Sequence, residues 1–130
     1  MRLAKWAAGL CGALLAFFGL LYVLFPERML GYAELVNLPP SSLTDLRVMY
    51  GALQVAPGLF MLASVRRTRW LEPALALGAL SFAWIAALRL FGMAHDGSAN
   101  QYHLTAIAIE IPTCAFAAFA WRGLRAAGGA

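Results

Sequence analysis

Four charged residues lie inside or at the edge of long apolar stretches, and their types and positions are the best suited to chemistry: Asp45, Arg47, Arg89 and Glu110. A charge placed among apolar groups is costly unless it is paired or has a function. Glu110 lies farthest from a polar segment. We expect it either to pair with Arg89 or Arg47, or to carry a proton, a state in which a carboxyl group can act as a general acid–base.

Uncharged polar residues share helix faces with these charges. Tyr50 and Gln54 follow Arg47 at offsets of three and seven residues, and His103 precedes Glu110 by seven. Such spacings place side chains on one face of an α-helix. We therefore predict a polar pocket with Glu110 as the candidate catalytic residue, and its ligand-binding residues are Arg47, Tyr50, Gln54, Arg89, His103 and Glu110.

The elements that must position these residues are four apolar stretches. Of the 130 residues, 62% are hydrophobic and 12% are charged, whereas a soluble domain carries about 25% charged residues. The stretches cover about residues 6–25, 46–65, 73–91 and 103–121, and roughly 20 apolar residues form a helix that crosses a bilayer. We predict an all-α fold, with one integral membrane domain over residues 1–130 and four transmembrane helices in an antiparallel bundle.

Basic residues set the expected orientation. They occur before the first stretch, between the second and third, and after the fourth, at Arg2, Lys5, Arg66, Arg67, Arg69, Arg122 and Arg125. Loops rich in Lys and Arg stay on the cytoplasmic side, so we expect both termini to be cytoplasmic. Trp6, Trp70 and Trp121 mark the same end as an interfacial belt. This topology brings the predicted pocket to the outer half of the bundle.

Simpler roles for the candidate residues remain open. Ser42-Leu43-Thr44-Asp45 matches a helix start in which Asp45 completes a capping box. Arg47 and Arg89 are near enough to the interface for their charged ends to reach the membrane surface. A pair between an arginine and Glu110 would equally serve to fix helix packing.

Several classes of partner are disfavoured. Cys11 and Cys114 lie in apolar stretches, and neither they nor His95 and His103 have the spacing of metal ligands. We therefore expect no metal site and no cofactor. Because the basic residues cluster beside apolar stretches rather than along one polar face, they indicate a membrane protein and argue against a nucleic-acid partner.

A short motif adds a resemblance. The sequence Asp45-x-Arg47-x-x-Tyr50-Gly51, the arginine that closes the third stretch and the single glutamate of the fourth resemble the bacterial domain of unknown function 4345 family, which consists of DoxX-like four-helix membrane proteins. The resemblance covers about residues 14–122, and Ala52 stands where the family pattern has a second glycine. It implies a four-helix membrane fold and assigns no catalytic residue.

Three functions follow as hypotheses. The first is an accessory or binding component of a bacterial inner membrane, which docks a membrane protein partner, a second copy of itself or a lipid-like small molecule through the polar cluster. The second is a membrane enzyme, an isomerase or cyclase acting on a hydrophobic substrate with Glu110 as general acid–base. The third is a proton-coupled exporter. A wide cavity at Glu110 would favour the enzyme, whereas a closed pair with arginine would favour a structural role for Glu110.

Overall fold

The computed structural model describes residues 1–128, and over these residues every regular element is a helix. Four helices are long and apolar enough to cross a membrane: α1 (Arg2–Leu24), α3 (Pro40–Ser64), α4 (Thr68–Asp96) and α5 (Gln101–Gly128). A short helix, α2 (Pro26–Tyr32), follows α1 directly. The predicted all-α fold with four transmembrane helices is therefore confirmed.

Each long helix begins earlier in the sequence than the apolar stretch that predicts it. The predicted capping box is wrong, because α3 begins at Pro40 and no side chain caps its first turn. Pro39 is extended (φ −66°, ψ 154°) and Pro40 opens the helix, since proline has no N–H to satisfy there and its fixed φ suits a first turn. Ser42 and Asp45 consequently lie inside the helix rather than before it.

The connections from α1 to α3 and from α4 to α5 contain more helix than the apolar stretches predict. The segment between the first two apolar stretches contains a short helix, because α2 occupies its first part. Helix α4 continues to Asp96 and ends at Gly97, whose φ of +65° favours glycine. Only residues 97–100 then separate α4 from α5, so the two helices form a tight antiparallel pair.

Helix α1 is the centre of the bundle. It packs against α3, α4 and α5, while α4 and α5 also pack along each other. Two apolar clusters fill the interior, one around Cys11, Met61 and Phe82 and the other around Leu71 and Leu75. Helix α3 is the most peripheral. Within the most apolar 18-residue segment of each helix, 44% of the residues of α1 but only 17% of those of α3 are buried inside the protein.

Small residues let α1 and α3 approach closely. A Cβ atom added to Gly58 would lie 2.6 Å from the backbone nitrogen of Ala16, and one added to Gly12 would lie 2.8 Å from the carbonyl oxygen of Gly58. Both distances are too short for real contacts. Gly19 of α1 and Gly51 of α3 make a similar close approach one to two turns nearer the loop end. Interfaces of this kind are typical of membrane helices, which gain stability from backbone proximity.

The antiparallel order gives the bundle two different ends. The loop end carries residues 25–39 and 97–100, and the basic end carries the start of α1, residues 65–67 and the last turns of α5. At the basic end, Arg67 and Arg69 lie over the ring of Trp70, and Arg125 lies over that of Trp121. The predicted pocket residues all belong to the half of the bundle near the loop end.

Candidate functional site

The centre of the candidate site is an ion pair between α4 and α5. Arg89 lies seven residues before the end of α4, and Glu110 lies nine residues after the start of α5. At 1.5 Å per residue, both lie about 10–13 Å below the loop end. The short connection thus brings an arginine and a glutamate from two antiparallel helices to the same depth.

The pair is closed and bidentate. The Nε atom of Arg89 donates to both carboxylate oxygens of Glu110, at 3.1 and 3.0 Å, and a terminal amino group donates to Oε1 at 2.6 Å. The side chains are only 19% and 10% exposed. Arg and carboxylate groups bind most strongly in this geometry, and a buried charge needs such a partner. The predicted Arg89–Glu110 pairing is therefore what the structure shows.

His103 completes the cluster around the guanidinium. The other terminal amino group of Arg89 lies 3.0 Å from Nδ1 of His103. Because a guanidinium can only donate hydrogen bonds, Nδ1 must accept this one, and the neutral ring then carries its proton on Nε2. Arg89 therefore joins two side chains of α5, and all three nitrogens of its guanidinium have partners.

A row of tyrosines extends from the ion pair to α1 and α3. The Arg89 guanidinium carbon lies 5.7 Å from the ring centre of Tyr102, a cation–π distance. The Tyr102 hydroxyl is hydrogen-bonded to that of Tyr22 at 3.1 Å. Tyr22 in turn stacks on Tyr50, with ring centres 5.2 Å apart. Residues from all four long helices are thus linked in one polar and aromatic network near the loop end.

Asn100 fixes the start of α5, and with it the position of His103. Its side-chain oxygen accepts a hydrogen bond of 3.0 Å from the backbone N–H of His103, which is a helix cap. Its side-chain nitrogen lies 3.5 Å from Oε1 of Glu34. The residue therefore holds the first turn of α5 against the segment that follows α2.

Arg47 lies apart from the Arg89–Glu110 pair, so the structure does not bring it into one pocket with Glu110, and its role in ligand binding stays a prediction. Its Nε atom donates to the backbone oxygen of Val23 at 3.2 Å, near the end of α1, and the side chain is exposed. The reason is a π-helical turn over Arg47–Ala52. Such a turn has hydrogen bonds between residues five apart, so the spacing of an ordinary α-helix does not apply across it.

The remaining predicted residues differ in their surroundings. Tyr50 reaches the cluster only through Tyr22, and it is 43% exposed on the outer side of α3. Gln54 is half-buried, and its side chain makes no hydrogen bond within the described part of the chain. The structure therefore brings together Arg89, His103 and Glu110, leaves Tyr50 at the margin, and separates Arg47 from them.

Sequence reasoning missed three members of the network, Tyr22, Tyr102 and Asn100. Tyr22 follows Gly19 by three residues and so continues the small-residue face of α1, which was a signal that its side chain points inward. Asn100 lies three residues before His103, at the spacing of a helix cap. Tyr102 gave no distinct signal, because interfacial tyrosines are common in membrane proteins.

This arrangement is better suited to holding helices than to reacting. Both oxygens of Glu110 are bound by Arg89, so a substrate would have to displace the guanidinium to exchange a proton with the carboxylate. Among residues 1–128, no three His, Cys, Asp or Glu side chains are grouped closely enough to hold a metal ion. The charged groups that remain exposed at the loop end are Glu27, Arg28, Glu34, Asp45, Arg47 and Asp96.

Comparison with known proteins identifies a family for this chain. The model of one family, described as a domain of unknown function (DUF4345), matches residues 3–121. No match was found among curated proteins or among solved structures. Since the matched residues make up most of the chain and contain the whole Arg89–Glu110–His103 cluster, the chain belongs to the DUF4345 family.

Proposed function

We propose that this multi-pass membrane protein is a non-enzymatic accessory or binding component of a bacterial inner membrane. It docks a partner helix or a lipid-like molecule on the part of α3 that carries Arg47, Met49 and Leu53, near the loop end. This part of the helix is the docking surface of α3. The observation that carries the proposal is the division of charge there. Glu110 and Arg89 satisfy each other inside the bundle, whereas Arg47 is exposed on a helix that the bundle barely covers.

The surroundings of Arg47 support docking. Apart from Nε, the guanidinium nitrogens have no hydrogen-bond partner among the described residues. The same part of α3 also exposes the apolar side chains of Val48, Met49 and Leu53. A cation within an apolar, membrane-facing surface is costly unless something polar meets it. A hydrogen-bond acceptor on a lipid-like molecule or partner helix would do so, and Tyr50 offers a further hydroxyl.

Enzyme and exporter functions find less support in this geometry. Either one needs Glu110 to gain and release a proton beside a substrate, and therefore needs the bidentate pair with Arg89 to open. The tight packing of α4 on α5 and the contacts of Arg89 with His103 and Tyr102 oppose such opening. We propose instead that the cluster keeps the loop end rigid, so that α3 presents a fixed surface.

A photo-crosslinking experiment tests the proposal. A photoreactive phenylalanine analogue replaces Met49, and the protein is irradiated in living cells and analysed by mass spectrometry. We expect one defined adduct, either a small molecule or a peptide of a single membrane protein. We also expect its yield to fall at least roughly tenfold in an Arg47→Gln background, because a desolvated charged contact contributes a few kcal/mol.

Two controls make the result specific. A variant with the same analogue at Leu88, which is 61% exposed on α4, measures the crosslinking to bulk lipid that any exposed position gives. Arg28→Gln removes another exposed cation, in α2, and should leave the adduct at position 49 intact. The proposal fails if positions 49 and 88 give the same mixture of bulk phospholipids, or if the adduct does not depend on Arg47.

A further inference from the structure

An open groove runs between α1 and the end of α3, at the basic end of the bundle and away from the Arg89–Glu110 cluster. Its volume is about 690 Å³. The lining residues are Lys5, Trp6, Gly9, Leu10, Ala13, Leu62, Ala63, Val65 and Arg66. Lys5 and Ala13 are eight residues apart on α1, so the groove extends about 12 Å from the basic end into the apolar zone.

The shape of the groove results from small residues between large ones. Gly9, Ala13 and Ala63 have little or no side chain, so the protein surface is recessed at these positions. Trp6, Leu10 and Leu62 stand beside them and are 76%, 44% and 37% exposed. Nothing from the rest of the described chain covers this channel. An apolar channel of this length, parallel to the helices, matches one extended acyl chain lying along the membrane normal.

The charged residues of the groove are both cations. Lys5 lies near the start of α1 and Arg66 just after the end of α3. The ion pairs within residues 1–128 are Arg89–Glu110 and Arg125–Glu72, so neither Lys5 nor Arg66 has an acidic partner there. The groove is therefore apolar along its length and positive at its mouth.

We propose that this groove binds one anionic phospholipid of the leaflet at the basic end. Lys5 and Arg66 hold the phosphate, Trp6 lies at the level of the glycerol backbone, and one acyl chain occupies the channel over Gly9 and Ala13. Basic residues next to a membrane helix attract anionic lipid head groups, and tryptophan prefers this interfacial level. The proposal concerns the opposite end of the bundle from the docking surface of α3 and is independent of it.

A second copy of the chain fits the groove less well. In a two-fold dimer built on this face, Lys5 and Arg66 of both copies would meet across one apolar interface, and symmetric contacts place identical groups together. Four cations with no acid between them would repel each other. An anionic lipid instead supplies both the negative charge and the apolar chain.

Native mass spectrometry can test the proposal. The purified full chain is reconstituted in nanodiscs of equal parts phosphatidylglycerol and phosphatidylcholine, and then released with its bound lipids. We expect a single retained lipid that is phosphatidylglycerol. Lys5→Gln/Arg66→Gln should lower its occupancy relative to phosphatidylcholine by roughly tenfold or more, because each basic residue near the surface contributes on the order of 1 kcal/mol to binding anionic lipid.

Two further variants separate the groove from general surface charge. Arg69→Gln/Arg122→Gln removes the same number of cations from the same end but outside the groove, and should leave the retained lipid unchanged. Ala13→Leu fills the channel at an exposed position and should lower the occupancy while both cations remain. Equal retention of the two lipids, equal loss in the Arg69/Arg122 variant, or full retention in Ala13→Leu would overturn the proposal.

Discussion

Arg89 illustrates how one arginine can be accommodated inside an apolar bundle. Its guanidinium donates to both oxygens of Glu110 and to Nδ1 of His103, and it also lies over the ring of Tyr102. Lysine could not replace it, because an ammonium group lacks the planar fork that binds a carboxylate at two points. The cluster depends on the type of residue as well as on its charge.

Removing one partner of this pair should cost more than removing both. Glu110→Gln leaves the Arg89 guanidinium buried without a counter-charge, and we expect a loss of about 3 kcal/mol in the free energy of unfolding. In Arg89→Met/Glu110→Leu no unpaired charge remains among the apolar side chains, so the loss should be smaller than in Glu110→Gln. Chemical unfolding in detergent micelles measures the free energy of unfolding of the original chain and of both variants.

The second ion pair of the chain provides the control. Glu72 and Arg125 approach to 3.5 Å, but their side chains are 55% and 65% exposed. Exposed pairs contribute little, so Glu72→Gln should leave the unfolding free energy nearly unchanged. If Glu110→Gln were as harmless as Glu72→Gln, the Arg89–Glu110 pair would not hold the bundle together and a role in binding would become the better interpretation.

At the scale of the helix, α3 differs from the other three long helices. It contains a π-helical turn over Arg47–Ala52, and most of its surface faces away from the bundle. Like α5, which contains Pro112, it also has an internal proline, Pro57. Pro57 cannot donate to the carbonyl of Leu53, and π turns often occur at functional positions. What attaches α3 to the bundle is mainly its close contact with α1 through glycines.

Gly58→Ala tests that contact. The added Cβ would lie 2.6 Å from a backbone atom of Ala16, and a helix backbone cannot shift as a flexible side chain can. We expect a loss of about 2 kcal/mol in the free energy of unfolding, as in other overpacked interiors. The variant should also increase the thiol reactivity of the buried Cys11, because α1 and α3 must move apart around it.

Gly123→Ala is the matched control. It also replaces a glycine within a long helix, but nothing lies within 4 Å of the added Cβ. Alanine has the higher helix propensity, so this variant should be as stable as the original chain or slightly more so. Equal stability of Gly58→Ala and Gly123→Ala would show that the close approach of α1 and α3 is unimportant.

For the molecule as a whole, the two ends of the bundle differ in charge and in structure. The basic end has cations at all three of its chain segments, several of them against tryptophan rings. The loop end has the acidic residues Glu27 and Glu34 beside its basic ones and is closed by α2 and the Asn100 cap. This asymmetry supports the prediction that the basic end faces the cytoplasm.

Cysteine labelling in intact cells tests the orientation. In a Cys11→Ala/Cys114→Ala background, a membrane-impermeant maleimide should label a cysteine placed at Asn37 or Ala99, both exposed at the loop end. A cysteine at Thr68, exposed at the basic end, should be labelled only after the cells are permeabilised. Labelling of Thr68→Cys in intact cells, with protection of the other two, would reverse the orientation and place the docking surface of α3 on the cytoplasmic side.

Much of the fold was accessible to sequence reasoning. The four apolar stretches predicted the four helices, since the length and hydrophobicity that suit a bilayer leave few other structures. The helix ends were less accessible, because polar residues near the interface are tolerated within a helix. The start of α3 at Pro40 and the extension of α4 to Asp96 are examples.

Within the candidate site, the sequence by itself determined which buried charges needed a partner. Arg89 and Glu110 lie at matching depths on consecutive antiparallel helices, so burial cost and topology made Arg89 one of two candidate partners for Glu110, and the structure selected it. Only the tertiary structure decided that Arg47 binds the end of α1 and that Tyr22 and Tyr102 link the helices. The side of a helix that faces the bundle depends on the neighbouring helices against which it packs. A π turn changes the direction in which the following side chains point, and it leaves no obvious mark in the sequence.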